Sequence, residues 1–231
     1  LNIALSFELA KLSDKLNIDV LPVIEAANSL PKGKNFVNIL TPSIGVGGYC
    51  LTKDPWFLNA FAKSFGSKFE TAITSRKVNE ESPIYSAKII HRLIKSNLSY
   101  RKASDIKIGI MGLAFKNNTG DCRFTPTIKL IEFLSFKGFS LKIFDPYISK
   151  DDYKLFEFKN VKVAKDQKEI MKGSNCIAFL AGHKEFHEIT LDEFKNNLVE
   201  GSIIFDGRMF FSREKINEFS ASGFIYKGVG R

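Results

Sequence analysis

The chain is poor in cysteine and histidine and short of acidic residues, and each shortage narrows what it can be. Its three cysteines, Cys50, Cys122 and Cys176, are odd in number and widely spaced. That excludes a disulfide framework and a cysteine-based zinc signature, and it fits a reducing, cytoplasmic setting. Among the three histidines, His183 and His187 stand four apart, but no carboxylate or cysteine context accompanies them. They read as surface residues rather than a metal pair. His91 has no visible partner and reads as neither ligand nor base. No apolar run reaches the length of a membrane span, and no stretch resembles a signal peptide. Asp and Glu number 25 against 34 Lys and Arg, a net charge of +9. Because the lysines are spread along the chain beside acidic residues, this charge argues for solubility and an attraction for anionic nucleotides. It does not argue for a nucleic-acid-binding face.

What the chain does have is one unusual stretch, TPSIGVGGYCLTKDPWF, at residues 41–57. Gly45, Gly47 and Gly48 precede Cys50, and Asp54 and Pro55 follow it. Glycines at this density permit positive φ and let the backbone approach a ligand closely. Asp54-Pro55 reads as an N-cap followed by proline at the first helical position, with Trp56, Phe57, Leu58, Ala60 and Phe61 forming the buried face. Cys50 then sits just ahead of a helix N-terminus, where partial positive charge favours a nucleophilic thiolate. Plainer readings stand beside these: a lone cysteine is commonly a small core residue, and Asp54 a mere cap. Spacing alone leaves both pairs open.

Periodicity divides the chain in two. Residues 1–98 read as helical: one helix already under way at Leu1, a short one over 18–29, one from the Cys50 loop to about 65 with Gly66 as its C-cap, and a long one over 69–97 kinked at Pro83. Arg76 and Asn79 on the long helix are conceivable contacts, though a solvated face explains them equally well. The polar, basic segment 99–105 marks a boundary. Beyond it, strands at 106–111, 140–144, 161–164, 176–181, 202–205 and 224–228 alternate with helices at 127–136, 166–172, 191–198 and 212–222. That alternation predicts a mostly parallel sheet covered on both faces. Ligands bind such sheets beyond the C-terminal strand ends, where Lys116, Asn117, Asn118, Thr119 and Arg123 offer donors suited to phosphate or ribose. A strand-to-helix loop can also be polar without a ligand, and Asp121 can be a turn cap.

Three segments carry a resemblance. GVGGYCLTKDPWF, residues 45–57, is similar to the active-site loop of the UDP-glucose/GDP-mannose dehydrogenase family, the nucleotide-sugar 6-dehydrogenases. GLAFKNNTGDCRFTP, residues 112–126, resembles that family's GxAFKxxTxDxRxSP segment, with Thr125 where serine is common. FDGR, residues 205–208, resembles its motif near the C-terminus. The resemblance covers essentially the whole chain but only the central and C-terminal parts of the family. It implies an all-helical central dimerisation domain at 1–98 and a Rossmann-like α/β sandwich binding the UDP-sugar at 99–231. It also implies that the chain is a fragment, with the NAD-binding Rossmann domain and an activating lysine and asparagine lying ahead of Leu1.

The same resemblance assigns roles. Cys50 and Asp54 are expected to be catalytic. Ser43, Ile44, Gly45, Val46, Gly47, Gly48, Phe115, Lys116 and Arg208 are expected to bind substrate, and Arg123 to contact NAD. Lys34 is expected to reach the substrate site of a neighbouring subunit in a homodimer built through the central helices. The implied reaction is NAD-dependent, four-electron oxidation of the C6 hydroxyl of UDP-N-acetylhexosamine or UDP-glucose to a uronic acid, through a Cys50 thiohemiacetal and thioester. DPWF leans toward the N-acetylmannosamine branch, whereas GGYCLTKD with Lys53 leans toward UDP-glucose. The product is expected to serve a surface polysaccharide. The competing expectation is a catalytically incompetent piece that only binds nucleotide sugar and dimerises.

Overall fold

The computed structural model describes residues 1–30, 37–154 and 161–231. Lys34, the expected inter-subunit residue, lies outside the described residues. Helix α1 (Asn2–Leu16) ends at Asn17 in the left-handed region, at φ 54°, a conformation asparagine tolerates better than most residues. Helix α2 (Val20–Asn28) is capped by the Asp19 carboxylate, which accepts the Leu21 amide at 3.0 Å. Helix α3 spans Tyr49–Ser64 and α4 spans Glu70–Asn97. Gly66, at φ 71°, follows the end of α3 as expected. The long helix α4 continues through Pro83 as one element.

The start of α3 differs from the sequence reading. Tyr49 is its first residue and Gly48, at φ 80°, its cap, so Cys50 lies inside the first turn and Asp54 and Pro55 lie in the helix interior. Glycine wins as the start signal because the capping position needs a positive φ. Thr52 Oγ1 closes the turn by donating to the Gly48 carbonyl at 2.5 Å. Pro55 removes one helical bond, to the carbonyl of Leu51. Leu51 is exposed, so water can satisfy that oxygen. The expected buried face is not buried either. Phe57 and Phe61 are 62% and 65% exposed, and Asn59 is the one buried residue of α3.

After a short 3₁₀ turn at Ala103–Asp105, the α/β half begins. Its strands are β1 (Lys107–Met111), β2 (Ser140–Phe144), β3 (Val161–Val163), β4 (Cys176–Phe179), β5 (Ile203–Asp206) and β6 (Ile225–Gly228). The helices between them are α5 (Thr127–Phe136), α6 (Lys150–Lys154), α7 (Gln167–Met171), α8 (Lys184–His187), α9 (Leu191–Asn197) and α10 (Arg213–Ala221). The strands form one sheet, ordered β3-β2-β1-β4-β5-β6, and every pairing is parallel. Residues of β4 and β5 are buried throughout, as central parallel strands covered on both faces must be.

Each face of the sheet has its own apolar layer. Ile108, Ile110 and Leu141 pack with Leu130 and Leu134 of α5 and Ile90 and Ile94 of α4. The opposite layer is rich in phenylalanine: Phe179, Phe186, Phe194, Phe211 and Phe219. Its rings meet mostly edge-on, as Phe194 and Phe219 do at 4.9 Å, the favoured arrangement for aromatic pairs. The first layer extends into the helical half, taking in Phe7, Ala10 and Val20. The chain's last residues grip the same helices. Val20 donates to the Gly230 carbonyl at 2.9 Å, and a Cβ on Gly230 would come within 2.6 Å of the Ala10 Cα. Arg231 binds the Asp19 carboxylate at 2.8 Å. No helix among the described residues is long and apolar enough to cross a membrane.

Strand order reverses beside β1: the chain moves outward to β2 and β3, then crosses to β4 on the other side. A crevice opens beyond the strand ends at such a reversal. The loops after β1, β4 and β5 all meet there.

Candidate active site

The three motif segments, far apart in sequence, are hydrogen-bonded together. Gly48 donates its amide to the Arg123 carbonyl at 2.8 Å, and Ile44 donates to the Gly207 carbonyl at 3.1 Å. The glycines are required by contact as well as by conformation. A Cβ on Gly47 would lie 2.4 Å from the Phe115 Cβ, and one on Gly207 would lie 2.5 Å from the Ile44 Cγ2. Gly45 sits against Pro83 of α4 and Pro126, while the Ser43 hydroxyl donates to the Gly45 carbonyl at 3.1 Å. Ile44 and Val46 are buried. Residues 43–48 therefore form a seam between α4 and the loops at the sheet's C-terminal edge.

Cys50 is exposed, unlike Cys176, which lies wholly inside β4 with its thiol pushed far up by burial. Burial raises Cys122 too. Asp54 follows Cys50 by one helical turn, on the same face. Both line a cavity of about 420 Å³ together with Val46, Leu58, Arg76 and Asn79. The Asp54 carboxylate accepts from the neighbouring Lys53 ammonium at 2.6 Å. That bond, reinforced by the charges of Asp54 and the Cys50 sulfur, holds Lys53 above its ordinary pKa.

Cations frame the other side of this turn. The Asp121 carboxylate grips the Arg123 guanidinium at Nε and Nη2, at 2.8 and 2.6 Å. This pairing raises Arg123 and lowers Asp121. The guanidinium also lies 4.9 Å from the Tyr49 ring centroid. Lys116 is exposed. Arg208 is half-buried and donates from Nη2 to the Asn117 side-chain oxygen at 3.1 Å. Burial lowers its pKa, against the opposing charge of Asp206.

Sequence reasoning missed the network beneath this loop. His183 is buried, not a surface residue, because it caps the four-residue helix α8 from outside and turns inward. Its Nδ1 accepts the Asn118 amide at 2.9 Å, which leaves Nε2–H to donate to Asp145 at 3.1 Å. The same Asp145 oxygen accepts the Leu113 and Ala114 amides at 2.8 and 2.9 Å. Burial pushes Asp145 up, but the His183 bond and the surrounding amides outweigh it and hold the carboxyl below its ordinary range. The Asn117 oxygen accepts from Gly182, and the Asn118 oxygen from Lys184. The signal in the sequence was an aspartate at the end of β2, followed by proline. His187 does stay at the surface, beside Phe210.

For Arg76 and Asn79 one of the two open readings falls away. They are not on a solvated face but are 7% and 9% exposed. Arg76 Nε donates to Glu80 at 3.0 Å, yet its Nη1 and the Asn79 Oδ1 are buried with no protein partner among the described residues. Each such atom costs about 1–3 kcal/mol in a fold.

Two models of one family match this chain. The central-domain model of the UDP-glucose/GDP-mannose dehydrogenase family matches residues 1–81, and its UDP-binding-domain model matches residues 109–213. The chain belongs to this family. A similar family member is the UDP-N-acetyl-D-mannosamine dehydrogenase of Pyrococcus horikoshii, 31% identical over 231 residues, which are 100% of this chain and 48% of the relative. The solved structure of a UDP-D-ManNAc dehydrogenase from the same organism has a TM-score of 0.81 at 30% identity, with 100% of this chain and 48% of that one covered. An NDP-N-acetyl-D-galactosaminuronic acid dehydrogenase from Methanosarcina mazei has a TM-score of 0.84 at 26% identity, again covering 100% and 48%. The chain thus spans about half the length of the family members it matches.

Proposed function

We propose that this chain carries the catalytic cysteine and the nucleotide-sugar site of an NAD-dependent nucleotide-sugar 6-dehydrogenase acting on a UDP-N-acetylhexosamine. The observation that supports this reading is the fastening of residues 44–48 to Phe115, Arg123 and Gly207, with an exposed Cys50 two residues further on that opens on a cavity. The N-acetylhexosamine is preferred to glucose because relatives named for UDP-N-acetyl-D-mannosamine align along the entire chain. In this reading residues 1–98 are the central dimerisation domain and residues 99–231 the UDP-sugar-binding domain. The homodimer uses the exposed aromatic face of α3, the setting is cytoplasmic, and the product feeds a surface polysaccharide.

The chemistry follows from the groups present. Loss of a proton and a hydride turns the C6 alcohol into an aldehyde. The Cys50 thiolate adds to the aldehyde carbon, and the carbonyl oxygen takes up a proton, giving a thiohemiacetal. Loss of a second hydride and of the hydroxyl proton leaves a thioester. Water cleaves it to the carboxylic acid and returns the sulfur as a thiol. Bound NAD supplies the acceptor for each hydride. Asp54, one turn from Cys50, orients the hydrolytic water. Gly47, Gly48 and Phe115 form a floor under the sugar nucleotide, and Lys116 and Arg208 offer cations to its diphosphate. Arg123, fixed by Asp121 beside Tyr49, suits an anionic dinucleotide.

Heating the 231-residue chain with UDP-N-acetylhexosamine should raise its melting temperature. A flat response to every UDP-sugar overturns the binding assignment. In the longer polypeptide that this reading expects, Cys50→Ser should abolish acid formation. Normal turnover overturns the covalent role. The 231-residue chain alone is expected to bind without producing NADH.

A further inference from the structure

One polar patch is unused by the scheme above. Ser75, Arg76 and Asn79 form a nine-tenths-buried polar face on α4, at a position where a packed helix ordinarily presents apolar side chains. Arg76 and Asn79 line the cavity that holds Cys50 and Asp54, and they also line a neighbouring cavity of about 670 Å³ bounded by Tyr49, Lys53 and Trp56. They form the partition between the two. Ser75 is satisfied by the Thr71 carbonyl at 2.7 Å. The other two residues keep one donor and one acceptor unpartnered, Arg76 Nη1 and Asn79 Oδ1.

The charge of this pair narrows what it can receive. Glu80 already neutralises the guanidinium through Nε at 3.0 Å, one helical turn away. The remaining donor therefore calls for a neutral acceptor more than for an anion. Beside it, Asn79 Oδ1 calls for a donor. A carboxamide carries both on adjacent atoms: its carbonyl accepts and its N–H donates. An unpaired buried donor and acceptor reject an analogue lacking the amide strongly, because they then stay unpaired.

We propose that Arg76 and Asn79 form an amide-recognition subsite beside Cys50, rotating their terminal groups into the cavity to receive a ligand's carboxamide. This rests on the nucleotide-sugar reading, which offers two sources: the acetamido group of the sugar and the carboxamide of nicotinamide. Arg76 and Asn79 are specificity residues here, with no part in bond making.

Calorimetric titration of the 231-residue chain tests it, using UDP, UDP-glucose and UDP-N-acetylglucosamine in one arm. The other arm uses NAD and nicotinic acid adenine dinucleotide with the longer polypeptide that the nucleotide-sugar reading expects, which carries the dinucleotide-binding half. The acetamido sugar should bind about tenfold tighter than UDP-glucose, the free-energy equivalent of one good hydrogen-bonded pair. Asn79→Leu, close in shape, should reduce that preference below about twofold while leaving UDP affinity unchanged. Asn79→Asp, which keeps the acceptor, should retain it. If Asn79→Leu instead erases only the discrimination between NAD and its nicotinic acid analogue, the cofactor is the amide's source. Arg76→Lys provides a second variant should Asn79→Leu fail to fold. UDP binding with both discriminations intact in the folded variants overturns this inference alone. Absence of UDP binding by the unmodified chain overturns the nucleotide-sugar reading and this inference with it.

Discussion

Gly48 hands its amide proton to the Arg123 carbonyl across 2.8 Å, so the turn that launches α3 is fastened to the loop following β1. Neither residue could be moved without the other. The cysteine turn and the cationic loop thus behave as one rigid unit, although more than seventy residues separate them.

Gly47→Ala tests that unit. The added methyl would meet Phe115 Cβ at 2.4 Å and the Phe124 carbonyl at 3.1 Å, one a ring anchored by its backbone and the other backbone itself. Neither can withdraw cheaply. Overpacking of this kind costs about 1–3 kcal/mol. Thermal unfolding should therefore fall by several degrees, with UDP-sugar binding weakened. An unchanged melting temperature and affinity would show that the two loops are not in contact.

The aromatic face of α3 gives a second prediction. Phe57, Phe61 and Phe65 are 62%, 65% and 74% exposed, which makes a contiguous apolar surface on one helix. Such surfaces mark contact sites. Phe61→Glu should shift the chain toward monomer in sedimentation equilibrium and weaken self-association by about 1.5–3 kcal/mol, the value of one buried phenylalanine. Identical sedimentation of the variant and parent chains would remove α3 from the interface.

What the sequence made legible, and what it hid, follows from how far each signal reaches. The six strands after residue 106 and the helices α5, α7, α9 and α10 were readable because a parallel sheet requires unbroken apolar runs separated by helices. The short α6 and α8 carry too few residues for a periodicity and were not read. Thr127–Phe136 and Ser140–Phe144 fall where patterning puts them. The start of α3 was misread because two local signals competed. Proline at a helix start is common, but Gly48 reached the needed φ first, and the interior Pro55 lies on an exposed turn that tolerates the lost bond. His183 was misread, and Arg76 left undecided, for another reason. Their burial comes from partners 38 residues away, in the case of Asp145, or from cavities assembled by several elements. No window along the chain contains those partners. Sequence motifs named Cys50, but only the folded chain puts the polar partition of α4 beside it.

His183→Leu should loosen the loop that carries Lys116. The substitution leaves the Asn118 amide without its acceptor and takes one donor from the buried Asp145. The expected loss is about 1–3 kcal/mol of stability. Because Asn117 and Asn118 also hold Gly182, Lys184 and Arg208, UDP affinity should fall as well, whereas self-association through α3 should stay unchanged. A variant that loses stability but keeps full UDP affinity would make His183 a purely structural residue.

Acid sensitivity gives the last prediction. Asp145 is lowered from its ordinary carboxyl value despite burial, because His183 and the backbone amides of Ala114 and Tyr147 favour its charged form. A carboxyl lower in the folded than in the unfolded chain adds stability at pH values above its unfolded pKa. That contribution disappears as pH falls through the folded value. Asp145→Asn removes the contribution at every pH, so the stability gap between parent and variant should be widest near neutrality. It should then narrow below about pH 4, where the unfolded carboxyl begins to hold its proton. Urea unfolding at several pH values from about 7 down to about 3 measures the gap directly. His183 donates its Nε2–H to the same oxygen, and Tyr153 is packed close enough to feel that carboxylate. Measured between His183→Leu and the double variant Asp145→Asn/His183→Leu, the gap should narrow less, because one donor that favours the Asp145 anion is then missing from both chains. A gap of constant size across that range would mean that Asp145 titrates alike in both states, and that its bonds to Leu113, Ala114 and His183 do not discriminate between the acid and its anion.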